Sequence, residues 1–177
     1  MTKHTKKSKQ YTQEDTSVNT VAEPTAAYAY PQDPVAVGTI LLMGMQGKKD
    51  FTQIRNENDF IGVIRTGIPK LAMSHLMDVA DITLAEMAAI IHTSDRNLRR
   101  YTDNEKLPQD QSERLVELAR LYRRGEEVFG TMAEFRIWMD TVLLPFGNKK
   151  PKEFLDTSLG IGMIMNELGR LEHGILA

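Results

Sequence analysis

Two stretches of this sequence open a helix in the same way. Thr83-Leu84-Ala85-Glu86 and Thr131-Met132-Ala133-Glu134 are both Thr-x-x-Glu boxes. In such a box the threonine oxygen accepts from the third helical amide, and the glutamate reaches back to the threonine. Each heads an apolar series with the helical period. Leu84, Met87, Ala88 and Ile91 fall at i, i+3, i+4 and i+7, and Phe135, Trp138, Met139 and Val142 repeat that spacing. A chain marked in this way builds its core between helices. No strand-like alternation competes, so the expected fold is all-α.

The same signals extend outward. Phe51, Ile54, Phe60, Val63 and Ile64 suit a helical face that Gly67 ends, and Pro69 opens a short helix through Leu71, Leu76 and Val79. Ser94 is a good N-cap for a helix over 95 to about 101, and Asn104 and Pro108 punctuate the link that follows. A long helix is expected from about 110 to 128, with Leu115, Leu118, Ala119 and Tyr122 on one face. Pro145, Phe146 and Gly147 interrupt the helix begun at Thr131. Pro151 starts a short turn reaching Asp156, and Thr157 can cap a last helix ending near Gly174. Residues 1–34 carry Lys, Thr, Gln, Ser and Pro, with a small aromatic patch at Tyr28-Ala29-Tyr30-Pro31 and no helical period. They read as a loosely attached leader, or as a basic arm that orders on a partner. The expected division is a flexible tail over 1–49, a helix–turn–helix domain for DNA binding and dimerisation over 50–108, and a small helical domain over 109–177.

Composition narrows the chemistry. The 177 residues include no cysteine, which excludes disulfides, cysteine-ligated metals and thiol nucleophiles, and fits a reducing cytoplasm. No apolar run approaches the roughly 18 residues of a membrane span. The basic start at Lys3, Lys6, Lys7 and Lys9 lacks the apolar stretch of a signal peptide, so a cytoplasmic protein without a membrane partner is expected. Gly44-Met45-Gln46-Gly47-Lys48-Lys49 fails the phosphate-loop spacing and reads as a surface loop. His4, His75, His92 and His173 show no zinc-ligand spacing. Asp78 with Asp81, and Glu126 with Glu127, read as solvated charge, and the ten methionines as core fillers. No catalytic, cofactor-binding or metal-binding group emerges, and the protein is expected not to be an enzyme.

Residues 84–103 have the pattern of a helix–turn–helix. Ala88 is small where the two helices must cross, and Ile91, Leu98 and Tyr101 would close the inner face. The turn falls at His92-Thr93, where a residue with positive φ is needed. Glycine is common there, but histidine tolerates that region better than most side chains. The second helix then exposes Ser94, Asp95, Arg96, Asn97, Arg99 and Arg100, whose arginines and asparagine suit phosphate anchoring and base-edge contacts. The competing reading is a helical hairpin with a solvated basic face. Glu86, Asp95, Asp103 and Glu105 keep the segment near neutral, and the whole chain carries a formal charge of −2, so any DNA contact must be local.

The last third holds an ordered series: Glu126-Glu127-Val128-Phe129-Gly130, Trp138, Pro151-Lys152-Glu153-Phe154-Leu155-Asp156-Thr157, Gly160, and Leu168-Gly169-Arg170-Leu171-Glu172-His173-Gly174-Ile175-Leu176-Ala177. This series resembles the toxin-binding domain of the Xre/MbcA/ParS antitoxin family. Upstream, Gly67-Ile68-Pro69, the helix–turn–helix, and Ser112-Glu113-Arg114-Leu115 leading into Leu118-Ala119-Arg120 resemble the family's N-terminal region. The resemblance spans about residues 60–177. It implies a type II toxin–antitoxin system in which this chain blocks a toxin that consumes NAD, either a RES-type degrading enzyme or an ADP-ribosyltransferase. It also implies a homodimer that binds operator DNA and represses its own operon. Carried over by position, the toxin contacts are Arg170, Glu172, His173, Gly174 and Ala177. Phe129, Trp138, Phe154 and Leu155 are better read as core. Two alternatives remain from the residues alone. One is a helical transcription regulator whose C-terminal domain only oligomerises; the other is a module that uses its helix–turn–helix for protein contacts.

Overall fold

The computed structural model of the chain describes residues 33–174. Eight α-helices and three short 3-10 turns make up these residues, and no β-strand occurs among them. The expected all-α fold, a helix–turn–helix region followed by a small helical domain, is what forms. The expectations placed on residues 1–32 and 175–177, Ala177 included, lie outside the described residues.

The core is organised around one long helix, α6 (Gln109–Phe129). At 1.5 Å per residue its 21 residues span about 30 Å. Leu115, Leu118, Ala119 and Tyr122 are buried as their spacing predicts. Its flanks are also covered, because Val116 and Leu121 are buried too. Those two residues lie on opposite flanks, and α6 packs on α1 (Pro34–Leu42) and α2 (Phe60–Thr66) as well.

The helix α1 corrects the expected tail over 1–49. Asp33 caps it by accepting from the Val35 amide at 2.9 Å, with Pro34 at its first position. Ala36, Ile40, Leu42, Met43 and Met45 are buried. Gly38 lies flush with α6: a Cβ there would sit 2.2 Å from Arg123 Nε. The segment Pro-Val-Ala-Val-Gly-Thr-Ile-Leu-Leu is apolar nearly all round, so it shows no amphipathic period. Its signal was the cap, an aspartate followed by proline.

Phe60 and Val63 fix α2, and Gly67 ends it at φ 87°. Only glycine fits there, since a Cβ would also meet the Leu107 carbonyl oxygen at 2.6 Å. Next come α3 (Lys70–Ala80), α4 (Leu84–Ile90) and α5 (Asp95–Arg100). The link from α5 to α6 is pinned by the Lys70 and Leu71 amides donating to the Glu105 and Asp103 carbonyls, each at 2.9 Å. The Ser112 hydroxyl accepts from the Ile68 amide at 2.9 Å and donates to the Leu107 carbonyl at 3.1 Å. That loop therefore belongs to the folded body.

After α6 the chain forms α7 (Met132–Met139), two 3-10 turns at Leu144–Phe146 and Pro151–Phe154, and α8 (Ser158–Glu172). The helix α7 stops at Met139, so Val142, expected on its buried stripe, is exposed. Phe135 is fully buried, and Trp138 stacks on it at 5.9 Å. Phe146 meets Trp138 edge-on at 6.0 Å, and Phe154 lies 5.5 Å from Phe146. These rings tie the irregular segment to α7. The expected division at 108/109 falls where α6 begins. This helix packs on α1 and α2 as well as on α7 and α8, so both halves share it.

Candidate functional site

The helix–turn–helix forms where its pattern places it. Thr83 Oγ1 accepts from the Glu86 amide at 3.3 Å, and the Thr83 amide donates to Glu86 Oε2 at 2.8 Å. The Thr83 hydroxyl also donates to Glu86 Oε2 at 2.6 Å, and this bond first, then the one from the amide, holds the Glu86 carboxyl below its ordinary pKa. Ala88, Ile91 and Leu98 are buried between the helices, with Tyr101 partly buried beside them. His92 adopts φ 56°, the left-handed turn residue the motif demands. The Thr93 amide closes the turn onto the Ala88 carbonyl at 2.8 Å.

All six residues expected to face DNA are exposed on or beside α5. Ser94 caps the helix, its Oγ accepting from the Asn97 amide at 3.1 Å, and the Asn97 side-chain amide donates to Thr93 Oγ1 at 3.2 Å. Asp95 lies 3.8 Å from Arg99, an exposed pair one helical turn apart that is worth little. Arg96 and Arg100 have no acidic partner within 4.0 Å among the described residues. Two cations therefore stand without acidic partners on a helix capped by Ser94.

At the other end of the chain, α8 begins on Thr157, whose Oγ1 accepts from the Gly160 amide at 3.0 Å. Gly160 is needed for space, because a Cβ there would be 2.0 Å from the Phe154 carbonyl oxygen. Gly162 sits inside this helix with open space around it. Ile161, Ile164 and Leu168 face α6. On the opposite side Leu159, Met163, Asn166 and Arg170 follow one another at helical spacing, and all four are exposed. Leu159 is 78% exposed. The sequence reading missed this apolar start to the stripe, because leucine and methionine on a helix usually mark core.

The expected toxin contacts lie together at the end of α8. Arg170, Glu172, His173 and Gly174 are all exposed. Arg170 leans on Glu167 at 3.4 Å, and Glu172 pairs with Arg124 of α6. Gly174 turns the chain at φ 66°, as the helix-end reading required. Of the residues expected to be core, Leu155 is buried and Phe129, Trp138 and Phe154 are partly buried.

The residue that sequence reasoning passed over is Arg114. It is only 8% exposed. Its Nε donates to the Ile90 carbonyl at 3.1 Å, and its other nitrogens to Glu117 Oε2 at 2.6 Å, Ser158 Oγ at 2.8 Å and the Leu155 carbonyl at 2.8 Å. One guanidinium thus joins the end of α4, the body of α6 and the start of α8. His92 adds a second link, its Nε2 lying 2.7 Å from the Asp156 carbonyl. Among the described residues no cluster of three or more potential metal ligands forms, and no helix is long and apolar enough to cross a membrane.

Comparison with known proteins matches both halves. Residues 59–120 match the antitoxin Xre-like helix-turn-helix domain, and residues 124–174 match the antitoxin Xre/MbcA/ParS C-terminal toxin-binding domain. A protein named Antitoxin Xre from Yersinia enterocolitica serotype O:8 is 29% identical over 100 residues, covering 55% of this chain and 68% of its own length. A second Antitoxin Xre, from Photorhabdus laumondii subsp. laumondii, is 25% identical over 117 residues, covering 65% of this chain and 79% of its own.

Proposed function

Because the chain belongs to the Xre/MbcA/ParS antitoxin family, carrying its helix–turn–helix and its toxin-binding domain in order, we propose that it neutralises a NAD-consuming toxin with the end of α8 and represses its own operon through α5. The toxin is a RES-type degrading enzyme or an ADP-ribosyltransferase, and the chain acts as a homodimer without catalysing a reaction itself. The observation that carries the first part is the exposed stripe of α8. It runs from Leu159 and Met163 through Asn166 to Arg170, and leads into His173 and Gly174. Large apolar side chains left in water on a small domain favour a protein partner, and an arginine at the edge of such a patch suits an anchor. Arg170, Glu172, His173, Gly174 and Ala177 would meet the toxin around its active-site entrance.

The DNA reading rests on Arg96 and Arg100, exposed and without acidic partners on a helix fixed by Ser94. A six-residue recognition helix reaches only a few base pairs, so a dimer on a two-fold operator would double the contact. The second reading, a regulator whose C-terminal domain only oligomerises, is separated from the first by co-expression with the adjacent gene. Full-length protein should form a complex and rescue growth, while a chain ending at Gly169 should remain folded and do neither. Rescue by the shortened chain would remove the end of α8 from the mechanism. Absence of any complex with full-length protein would leave the regulator reading. For DNA, Arg96→Ala and Arg100→Ala should each weaken operator binding and lower the slope of log affinity against log salt by about one.

A further inference from the structure

A cavity of about 280 Å³ lies between α3 and α4 on one side and α7 with the Pro151–Phe154 turn on the other, and neither proposed interface uses it. Tyr122 of α6 reaches it. That side chain is 3% exposed, with its ring edge-on to Phe135 at 5.3 Å. Its hydroxyl faces the cavity and bonds to no side chain or carbonyl among the described residues. Burial, then the nearby charges of Asp140, Glu86 and Asp81, pushes the phenol pKa up, so the group keeps its proton, and its oxygen can still accept. The hydroxyl opens into the cavity, where water or a bound molecule can serve it.

The charge around the cavity says what kind of occupant. Asp140 is already paired with Lys152 at 2.5 Å. Glu86 uses one oxygen, Oε2, to cap Thr83. The carboxylates of Asp81 and Asp156, which also line the cavity, have no cationic partner within 4.0 Å among the described residues. Even with Arg136 counted at the edge, acids outnumber bases, so the surplus charge is negative. The remaining wall is aliphatic, from Ile82, Ile90 and Met139. An anion or a neutral polar molecule matches this lining poorly. A short hydrocarbon carrying an amine matches it at both ends.

We propose that this cavity binds a small aliphatic ammonium compound, its cationic end held by the Tyr122 hydroxyl and the surplus carboxylates, and its methylenes against Ile90 and Met139. The site is built half from the helix–turn–helix and half from the toxin-binding domain, so an occupant touches both. Calorimetric titration of the full chain with 1,5-diaminopentane tests it, with 1,5-pentanediol and glutarate as controls of matched length. The diamine should bind saturably and the two controls should not. Tyr122→Phe and Asp81→Asn should each weaken binding about tenfold, as loss of a bond to a charged group does. Asparagine accepts the left-handed backbone of Asp81, at φ 56°, so that variant should keep its fold, as circular dichroism will register. Absence of saturable heat at millimolar diamine, equal binding of the diol, or an affinity untouched by both substitutions would overturn the assignment.

Discussion

Replacing Arg114 by methionine asks how much of the molecule depends on one buried guanidinium. Methionine has similar reach and no charge, so the apolar part of the packing is retained. What goes is the set of bonds to the Ile90 and Leu155 carbonyls, to Ser158 and to Glu117. The two carbonyls are left without that donor in a closed site, at about 1–3 kcal/mol each where no water replaces it. Glu117 keeps 29% of its side-chain surface in water, so its loss is the smaller one. Against these stands relief from burying the guanidinium, which offsets part of the loss. The net expectation is a destabilisation of about 3 kcal/mol, a large share of the roughly 5–15 kcal/mol that holds a domain folded. Arg114→Lys should fall between, because one ammonium can keep Glu117 but cannot serve Ile90, Leu155 and Ser158 together. Urea unfolding of the three proteins, compared by midpoint and slope, measures this directly. A loss below about 1 kcal/mol for methionine, or a lysine variant equal to the parent, would refute the reasoning, since the carbonyls would then have found other donors.

Three other outcomes follow from local geometry. Gly160→Ala should destabilise by about 1–3 kcal/mol, because the new methyl meets the Phe154 carbonyl oxygen at 2.0 Å, whereas Gly162→Ala, with nothing nearby, should stabilise by up to about 1 kcal/mol; thermal melts of the pair should shift in opposite directions, and shifts of the same sign would refute this. Ser94→Ala removes the cap of α5 and should cost about 1 kcal/mol, read by urea unfolding and by faster amide exchange at Asn97. The Asp140 carboxyl is held below its usual pKa, first by its bond from Lys152, so its contribution exists above the unfolded value and disappears as pH falls through the folded one. Lys152, raised mainly by the same bond, contributes fully below its ordinary pKa and loses that contribution as pH rises through the folded value. Asp140→Asn should therefore flatten the acid-side slope of melting temperature below about pH 4, by a small amount because the pair is half in water.

Legibility followed the physics of each segment. Where a polar cap preceded an apolar period, as at Thr83, Ser94 and Thr157, the start of the helix lay open in the sequence, and the structure puts each cap to use. The left-handed turn at His92 was legible for the same reason, since the motif leaves one place for it. The helix α1 was not legible, because a segment apolar on every side has no period to detect. Nor was the role of Arg114. An arginine at a helical position reads as surface until the carbonyls it serves are brought in from residues 24 and 41 positions away. The exposed Leu159 and Met163 were hidden by the opposite error, in which apolar identity stands in for burial.

The course of α8 bears on how the two proposed activities coexist. Its first residue, Ser158, meets Arg114, and its last, Glu172, meets Arg124, so α8 runs beside α6 in the same direction. The helix–turn–helix attaches at the beginning of that run, through Ile90 to Arg114 and through His92 to Asp156. The group from Arg170 to Gly174 sits at its far end, about 20 Å along a helix of 15 residues. A toxin gripping that end need not cover α5, and DNA on α5 need not cover the end of α8. The separation is set by a helix continuous through both domains, not by a linker that could fold one surface over the other. Influence of one partner on the other can then pass through the proposed dimer, through the buried guanidinium of Arg114 or through the exposed contact of His92 with Asp156, where substitution can separate it from binding itself.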